Sequence, residues 1–122
     1  MGTIENKALL KIWVYSNETV RGNSLYELIV LKAKELGLAG ATVVRGVMGY
    51  IGDDKMHKPK LFSITENLPV MIEVIDTEHN INKLLPFLDE SIRSGLVVLM
   101  PISSTGAIKE RGEKYESRDI QK

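Results

Sequence analysis

The sequence predicts a single α+β domain, because two kinds of apolar pattern alternate along a chain of domain length. Segments with apolar side chains at every second residue are typical of strands, and segments with apolar side chains three and four residues apart are typical of helices. They occur in the order β-α-β-β-α-β within 122 residues. This is the order of the ferredoxin-like fold, in which one antiparallel sheet carries both helices on a single face.

The first strand and the first helix have the clearest patterns. Apolar and other side chains alternate over residues 8–15 (ALLKIWVY), which predicts a strand. Ser24, followed three residues later by Glu27, matches the capping box at a helix N-terminus, and Gly37 suits the position just after a helix. The apolar residues between them have helical spacing, which predicts a helix over 25–36.

The middle of the chain is predicted to form a hairpin around an exposed loop. A strand over 42–50 (TVVRGVMGY) is interrupted by Gly46 and Gly49, and a polar loop over 51–59 follows it. Residues 60–64 (KLFSI) are expected to return along the same strand.

The remaining elements are a further strand, a helix that contains a proline, and a last strand. The strands are predicted over 70–76 (VMIEVID) and 97–102 (VVLMPI). Between them, Thr77 is the predicted N-cap of the second helix and Gly95 its end. Pro86 must kink this helix or begin a new one, because its ring clashes with the carbonyl four residues earlier.

Composition limits the organisation of the chain and its functions. We expect one domain at 7–102, an extension at 1–6 and a charged, disordered tail at 103–122. Sixteen basic and sixteen acidic side chains give no net charge, which argues against nucleic acid as a partner. The absence of cysteine excludes disulfide scaffolds, Cys-zinc sites and thiol catalysis. No apolar run approaches the ~20 residues of a membrane span and no signal peptide is evident, so we expect a cytoplasmic protein without membrane insertion.

The predicted sheet has one face that the two helices leave open. By the alternation of the strands, this face carries Lys11, Trp13, Tyr15, Met71, Glu73 and Ile75. A face with so many apolar side chains is rarely left to solvent. We therefore expect a homo-oligomer that covers this face, with Trp13 in its core.

The residues at the end of the second strand are candidates for a ligand site. Gly46 and Gly49 allow a flat ring or a phosphate to approach the main chain, and Arg45 offers paired donors to a phosphate. In the loop that follows, His57 and Lys58 add donors. The same glycines are also typical of a bulged strand end, where they permit a bend.

Glu73 is a second candidate because it interrupts an apolar strand. It either faces solvent at a sheet edge, or it is buried and then needs a partner. A buried, paired carboxylate in a cleft between subunits is typical of a functional site.

Several segments together resemble an uncharacterised family of small PII-like proteins. The main match is the run within 24–49 that reads LYELIVLKAKELGLAGATVVRGVMG. It is followed by His57 and by residues 66–73 (ENLPVMIE). Further matches are Leu85-Pro86, Leu88-Asp89 and Gly95-Leu96-Val97. The resemblance covers roughly residues 7–102.

That family is similar to the PII nitrogen-regulatory signalling proteins, which are ferredoxin-like homotrimers with adenine nucleotides in clefts between subunits. The resemblance implies a PII-like homotrimer that is a regulator rather than an enzyme, with an adenine nucleotide as effector and no cofactor. It also implies that 51–59 is a regulatory loop that contacts a protein partner, for which a membrane transporter is one candidate. The base of that loop, where PII proteins seat the adenine ring, corresponds to Gly46, Met48 and Gly49, with Tyr50 beside them. The context of Glu73 is similar to the Ile-Glu-Ile of PII proteins.

Two departures from PII proteins bear on the ligand and on modification. PII proteins hold the nucleotide phosphates with a Gly-rich, Lys-containing loop before the last strand, whereas residues 93–96 (RSGL) contain no lysine. A nucleotide with one phosphate needs fewer such contacts, so AMP is favoured over ATP. The loop also lacks the tyrosine that is uridylylated in some PII proteins, which argues against that modification.

Two other functions fit the same residues. A small ferredoxin-like enzyme, an isomerase or a hydrolase, would use His57 or Glu73 as a general base in a cleft between subunits. A cation-binding structural oligomer, similar in outline to the divalent-cation tolerance proteins, would use Asp53, Asp54 and His57 as ligands.

Overall fold

The computed structural model describes residues 3–52 and 67–105. Their elements are β1 (Glu5–Tyr15), β2 (Thr19–Val20), β3 (Asn23–Ser24), α1 (Leu25–Glu35), β4 (Gly40–Arg45), β5 (Pro69–Asp76), α2 (Glu78–Ile81), α3 (Leu85–Ser91) and β6 (Leu96–Ser104). The predicted strand over 60–64 lies outside the described residues. None of the described helices has the length and apolar character needed to cross a membrane.

The main sheet confirms the predicted α+β, ferredoxin-like architecture. β4, β5, β1 and β6 lie side by side in that order, and each neighbouring pair is antiparallel. β1 is an inner strand, so that its Ile12 is aligned with Ile72 of β5 on one side and with Val97 of β6 on the other. β2 and β3 form a separate hairpin between β1 and α1.

The hydrophobic core lies between this sheet and the helices. Every second side chain of the two inner strands is buried, namely Leu10, Ile12 and Val14 of β1 and Val70, Ile72 and Val74 of β5. The three helices and the link between α2 and α3 contribute Leu25, Ile29, Ala33, Ile81, Leu84 and Leu88. Each large aliphatic side chain buried in this way stabilises the fold by about 1.5–3 kcal/mol.

The first helix is present as predicted, but its N-terminus is built differently. Ser24 makes no side-chain cap, and its buried hydroxyl has no hydrogen-bond partner among the described residues. Ser24 belongs to β3, where pairing with Thr19 determines its backbone conformation. The N–H of Leu25 donates instead to the carbonyl of Glu18, at 2.9 Å. The predicted capping box is therefore wrong, whereas Gly37 follows the helix as predicted, with a φ of +77°.

The proline divides the second helical segment into two helices. Thr77 caps α2 as predicted, because its hydroxyl accepts a hydrogen bond from the N–H of Asn80 at 3.1 Å. Pro86 lies in the first turn of α3, where its missing N–H removes no helical hydrogen bond. Pro86 thus begins a new helix, and this helix ends at Ser91 rather than at Gly95.

Several strand boundaries differ from the prediction. β4 ends at Arg45 and not at Tyr50, because the chain leaves the sheet at Gly46. At the other edge of the domain, β1 begins at Glu5 and is aligned there with Ser104 of β6. The sheet therefore extends beyond both limits of the predicted domain at 7–102, and the first two residues of the predicted tail are part of a strand.

The face of the sheet opposite the helices is open, as predicted. On the two inner strands it carries the half-buried side chains of Lys11, Trp13, Met71 and Glu73, and the exposed Ile75. By the strand register, the same face also carries Val44 of β4 and Leu96, Val98 and Met100 of β6. Tyr15 is an exception, because it is buried and its hydroxyl is hydrogen-bonded to the chain at Ile51.

A buried carboxylate joins three elements at one end of the sheet. Asp76, the last residue of β5, accepts hydrogen bonds on Oδ1 from the Thr77 N–H (2.6 Å) and from Asn80 Nδ2 (2.9 Å). Its Oδ2 accepts from the Ala39 N–H, just before β4, at 2.9 Å. Burial alone raises the pKa of Asp76, but these bonds and the nearby Lys7 outweigh burial and hold the pKa below its ordinary value.

We predict that Asp76→Asn lowers the free energy of unfolding by about 1–3 kcal/mol, because the new NH₂ group meets an N–H donor in either orientation. Urea unfolding at neutral pH measures this loss. Asp89→Asn is the matched control, since Asp89 is exposed on α3, and it is expected to change stability by less than about 0.5 kcal/mol. Equal effects of the two substitutions would contradict the assignment.

The same carboxylate predicts a pH dependence of stability. The pKa of Asp76 is lower in the folded chain than its ordinary value of 3.8, so the native state binds this proton less readily than the unfolded state. The stabilisation is therefore complete above pH 4 to 5 and is lost as the pH falls through 3.8 and then through the folded pKa. Unfolding measured across this range is expected to show a smaller loss of stability in Asp76→Asn than in the native chain.

Candidate functional site

The connection that leaves β4 begins with a glycine held tightly against β5. The Gly46 N–H donates to the carbonyl of Pro69 at 2.8 Å. A Cβ at position 46 would lie 2.7 Å from that same backbone oxygen, which is closer than real Cβ contacts allow. Gly49 has a φ of +154° and also faces Pro69, whose Cγ is 3.5 Å from the position of a Cβ. The two glycines therefore fold this connection closely over Pro69.

The same turn presents its side chains outward. Val47, Met48 and Tyr50 are 75%, 55% and 60% exposed. Arg45, the last residue of β4, is exposed beside them. Apolar surface and a guanidinium thus lie within one short segment. A planar apolar ring that carries an anionic group has matching chemistry.

Both ends of the β4–β5 connection are attached to one turn at the end of β1. At its start, the N–H of the buried Ile51 donates to the Tyr15 hydroxyl at 2.9 Å. At its end, the Ser16 N–H donates to the Leu68 carbonyl (2.8 Å), and the Leu68 N–H donates to Ser16 Oγ (3.1 Å). Both described ends of the connection are therefore fixed to the same turn.

The structure brings some of the predicted site residues together and separates others. Arg45, Gly46, Met48, Gly49 and Tyr50 lie in one turn at the end of β4. His57 and Lys58 lie outside the described residues, as do the candidate cation ligands Asp53 and Asp54. Among the described residues, no three His, Asp or Glu side chains form a group that could hold a metal ion.

Glu73 is in a different environment from the turn. It projects from the open face of the sheet, and its Oε2 lies 3.8 Å from Lys11 Nζ. Arg45 is aligned with the core residue Val70 and therefore belongs to the helix side of the sheet. Within one copy of the chain, Glu73 and Arg45 lie on opposite faces.

Residues 93–96, which the resemblance aligns with the PII phosphate loop, form a tight turn. A Cβ at Gly95 would lie 2.7 Å from the carbonyl oxygen of Trp13 and 2.9 Å from Ile92 Cγ2. The role of Gly95 is thus to let the chain pass close to β1 before β6 begins.

The anchors of the connection were not identified from the sequence. The sequence predicts Tyr15 on the open face and assigns no anchoring role to Ser16 or Asn67. The Asn67 side chain accepts a hydrogen bond from the Asn17 N–H at 3.2 Å. Ile51 is the first residue of the loop predicted to be exposed over 51–59, but it is buried, so the prediction is wrong at this residue. Its apolar side chain was the one signal of an anchor, because large aliphatic residues are often buried.

Comparison with known proteins places the chain in a family. The DUF190 family, described as Uncharacterized ACR, COG1993, matches residues 7–104. The chain belongs to the DUF190 family. It is 36% identical over 96 residues to a UPF0166 protein of Aquifex aeolicus, covering 79% of this chain and 90% of that one. It is 37% identical over 109 residues to the UPF0166 protein MJ1524 of Methanocaldococcus jannaschii, covering 88% and 95%.

Two similar solved structures are PII-like proteins. CPII, a nitrogen regulatory PII-like protein from Thiomonas intermedia K12 bound to ADP, AMP and bicarbonate, has a TM-score of 0.63 at 20% identity, covering 88% of this chain and 95% of that one. A PII-like signaling protein (TTHA0516) from Thermus thermophilus has a TM-score of 0.59 at 20% identity, covering 93% and 98%. These likenesses confirm the predicted PII-like fold.

We predict that Gly46→Ala destabilises the protein by about 1–3 kcal/mol, because a methyl group forces the connection away from the Pro69 carbonyl. Gly40→Ala, at the first residue of β4, is the matched control. A Cβ there has open space and the backbone needs no positive φ, so the change is expected to stay within about 0.5 kcal/mol. Thermal unfolding of both variants measures the difference, and a tolerated Gly46→Ala would contradict the close packing.

We also predict that Tyr15→Phe leaves the Ile51 N–H without its partner and speeds its hydrogen exchange, with a loss of stability of about 1–3 kcal/mol. Amide exchange followed by NMR reports on this one position. Tyr26→Phe, at a partly buried tyrosine of α1, is the control. If exchange at Ile51 is the same in the native chain and in both variants, the Tyr15 hydroxyl does not hold the connection.

Proposed function

We propose that this chain is a cytoplasmic PII-like regulatory protein that binds an adenine nucleotide at the base of the β4–β5 connection. The observation that carries the proposal is the anchored turn at Gly46–Tyr50, where exposed Met48 and Tyr50 lie beside Arg45. Adenine needs a flat apolar surface and accessible backbone, and its phosphate needs a cationic donor. The nucleotide-bound CPII structures share the fold and support the same ligand class.

AMP is the favoured nucleotide. Arg45 provides a single guanidinium in the described part of the turn. One guanidinium can bind one phosphate through two hydrogen bonds. The tight turn around Gly95 has no lysine to add contacts to a second or third phosphate. His57 and Lys58 remain proposed contacts from the loop.

The site is proposed to lie between subunits of a homotrimer. The open face of the sheet carries enough apolar surface to require cover, and covering it with other copies creates clefts along the sheet edges. Glu73 projects from this face, so it reaches a ligand only in such a cleft. A catalytic role for Glu73 has less support, because its nearest charged partner is Lys11 and no substrate group is implied.

The loop at 51–59 is proposed to relay occupancy of the site to a protein partner, for which a membrane transporter is one candidate. Ile51 and Leu68 fix the ends of the connection to the β1 turn, so the nucleotide and the loop share a rigid base. A ligand shifts the population of loop conformations only if it contacts them differently. Contacts from His57 and Lys58 would supply that difference.

We predict that isothermal titration shows saturable AMP binding at one site per subunit, and weaker binding of ATP. Arg45→Ala is expected to weaken AMP binding at least tenfold, because a charge-assisted hydrogen bond is worth about 1.5–3 kcal/mol and ~1.4 kcal/mol corresponds to a factor of ten. ADP is titrated in parallel to rank the phosphate requirement.

The matched control is Lys34→Ala, which removes a cation from the last turn of α1, at the other end of the sheet from Arg45. Its AMP affinity is expected to equal that of the native chain. Failure of all three nucleotides to bind would reject the proposed function. Equal weakening by both substitutions would reject Arg45 as the phosphate contact.

A further inference from the structure

The open face of the sheet carries a polar row between two apolar rows. Thr42, Glu73 and Lys11 are aligned side by side across β4, β5 and β1. Lys11 Nζ and Glu73 Oε2 lie 3.8 Å apart, and the two side chains are 28% and 31% exposed. On one copy of the chain, this ion pair lies at the centre of the face and is partly exposed to water.

The neighbouring rows offer this pair no charged partner. On one side, Leu9 is aligned with Ile75, and on the other side Trp13 is aligned with Met71. A lysine has three hydrogen-bond donors and a carboxylate has two acceptor oxygens. One contact of 3.8 Å therefore leaves most of these donors and acceptors to bind water. Covering the face removes that water, and an ion pair without further partners is then costly.

We infer that Lys11 of one copy binds Glu73 of the next copy when the open face is covered. The covering molecule is a second copy because the face is complementary to itself: one positive and one negative side chain lie at its centre, with apolar rows on both sides. The inference rests on the homo-oligomer of the proposed function and adds its register. A shift of one copy over the other would place a charge against an apolar row, so the polar row selects one arrangement.

The test uses charge reversal and mixing. Lys11→Glu gives a protomer with two carboxylates in the row, and Glu73→Lys gives one with two lysines. Each variant alone is expected to assemble at least tenfold more weakly than the native chain, measured by light scattering over a dilution series. Mixing the two is expected to restore oligomers that contain both, identified by native mass spectrometry with one variant labelled with ¹⁵N.

Two further variants separate assembly from folding. Glu73→Gln keeps the shape of the side chain and leaves Lys11 unmatched, so it is expected to weaken assembly while the circular dichroism spectrum stays native. Lys32→Glu is the matched control, because Lys32 is paired with Glu35 on the surface of α1, at 3.4 Å. It is expected to leave the oligomer unchanged.

The outcomes distinguish this inference from the proposed function. A native chain that is monomeric at all concentrations overturns both. A native oligomer that Lys11→Glu and Glu73→Lys leave unchanged overturns the inference alone, as does a mixture that forms no mixed oligomer. Mixed oligomers without any AMP binding support the cross-subunit pair and reject only the nucleotide site.

Discussion

The alternation of side chains along β1 determines what one copy of the chain buries and what it leaves open. This strand is paired on both sides, with β5 and with β6, so its backbone hydrogen bonds are satisfied within the sheet. Its even-numbered residues from Ala8 to Val14 form the centre of the core, and its odd-numbered residues put Lys11 and Trp13 on the open face. A shift of one residue in register would exchange the two sets, so core burial strongly specifies the register.

Much of this fold could be predicted from the sequence because local signals and tertiary packing agree. Alternation predicted β1 and β5, and Pro86 predicted a break that the structure places between α2 and α3. Ser24 shows where such reasoning fails. Its spacing to Glu27 satisfies a local motif, but pairing with Thr19 imposes a strand conformation that the local sequence does not reveal. The sequence predicted β4 to continue to Tyr50 for a similar reason. The chain leaves the sheet at Gly46, where its N–H is hydrogen-bonded to the Pro69 carbonyl, and the local sequence does not reveal this contact.

The candidate site was predictable only in part, because a site depends on which face each element presents. Arg45, Gly46, Met48, Gly49 and Tyr50 are close in sequence and therefore close in space. Glu73 is 28 positions from Arg45, and the register places the two on opposite faces of the sheet. The anchoring role of the Tyr15 hydroxyl depends on a bond to a residue 36 positions away, which no local pattern indicates.

The proposed site and the proposed interface are physically linked through this sheet. In this proposal, covering the open face desolvates the Lys11–Glu73 pair and, in the same step, forms the cleft between copies in which the nucleotide is proposed to bind. If a nucleotide binds in that cleft, it binds the assembled form more tightly than the separated chain, and it must therefore stabilise the assembly by the same free energy. The turn at Gly46 can take part without moving, because Tyr15 and Ser16 hold both ends of its connection. Assembly would thus supply the half of the site that a single chain cannot provide.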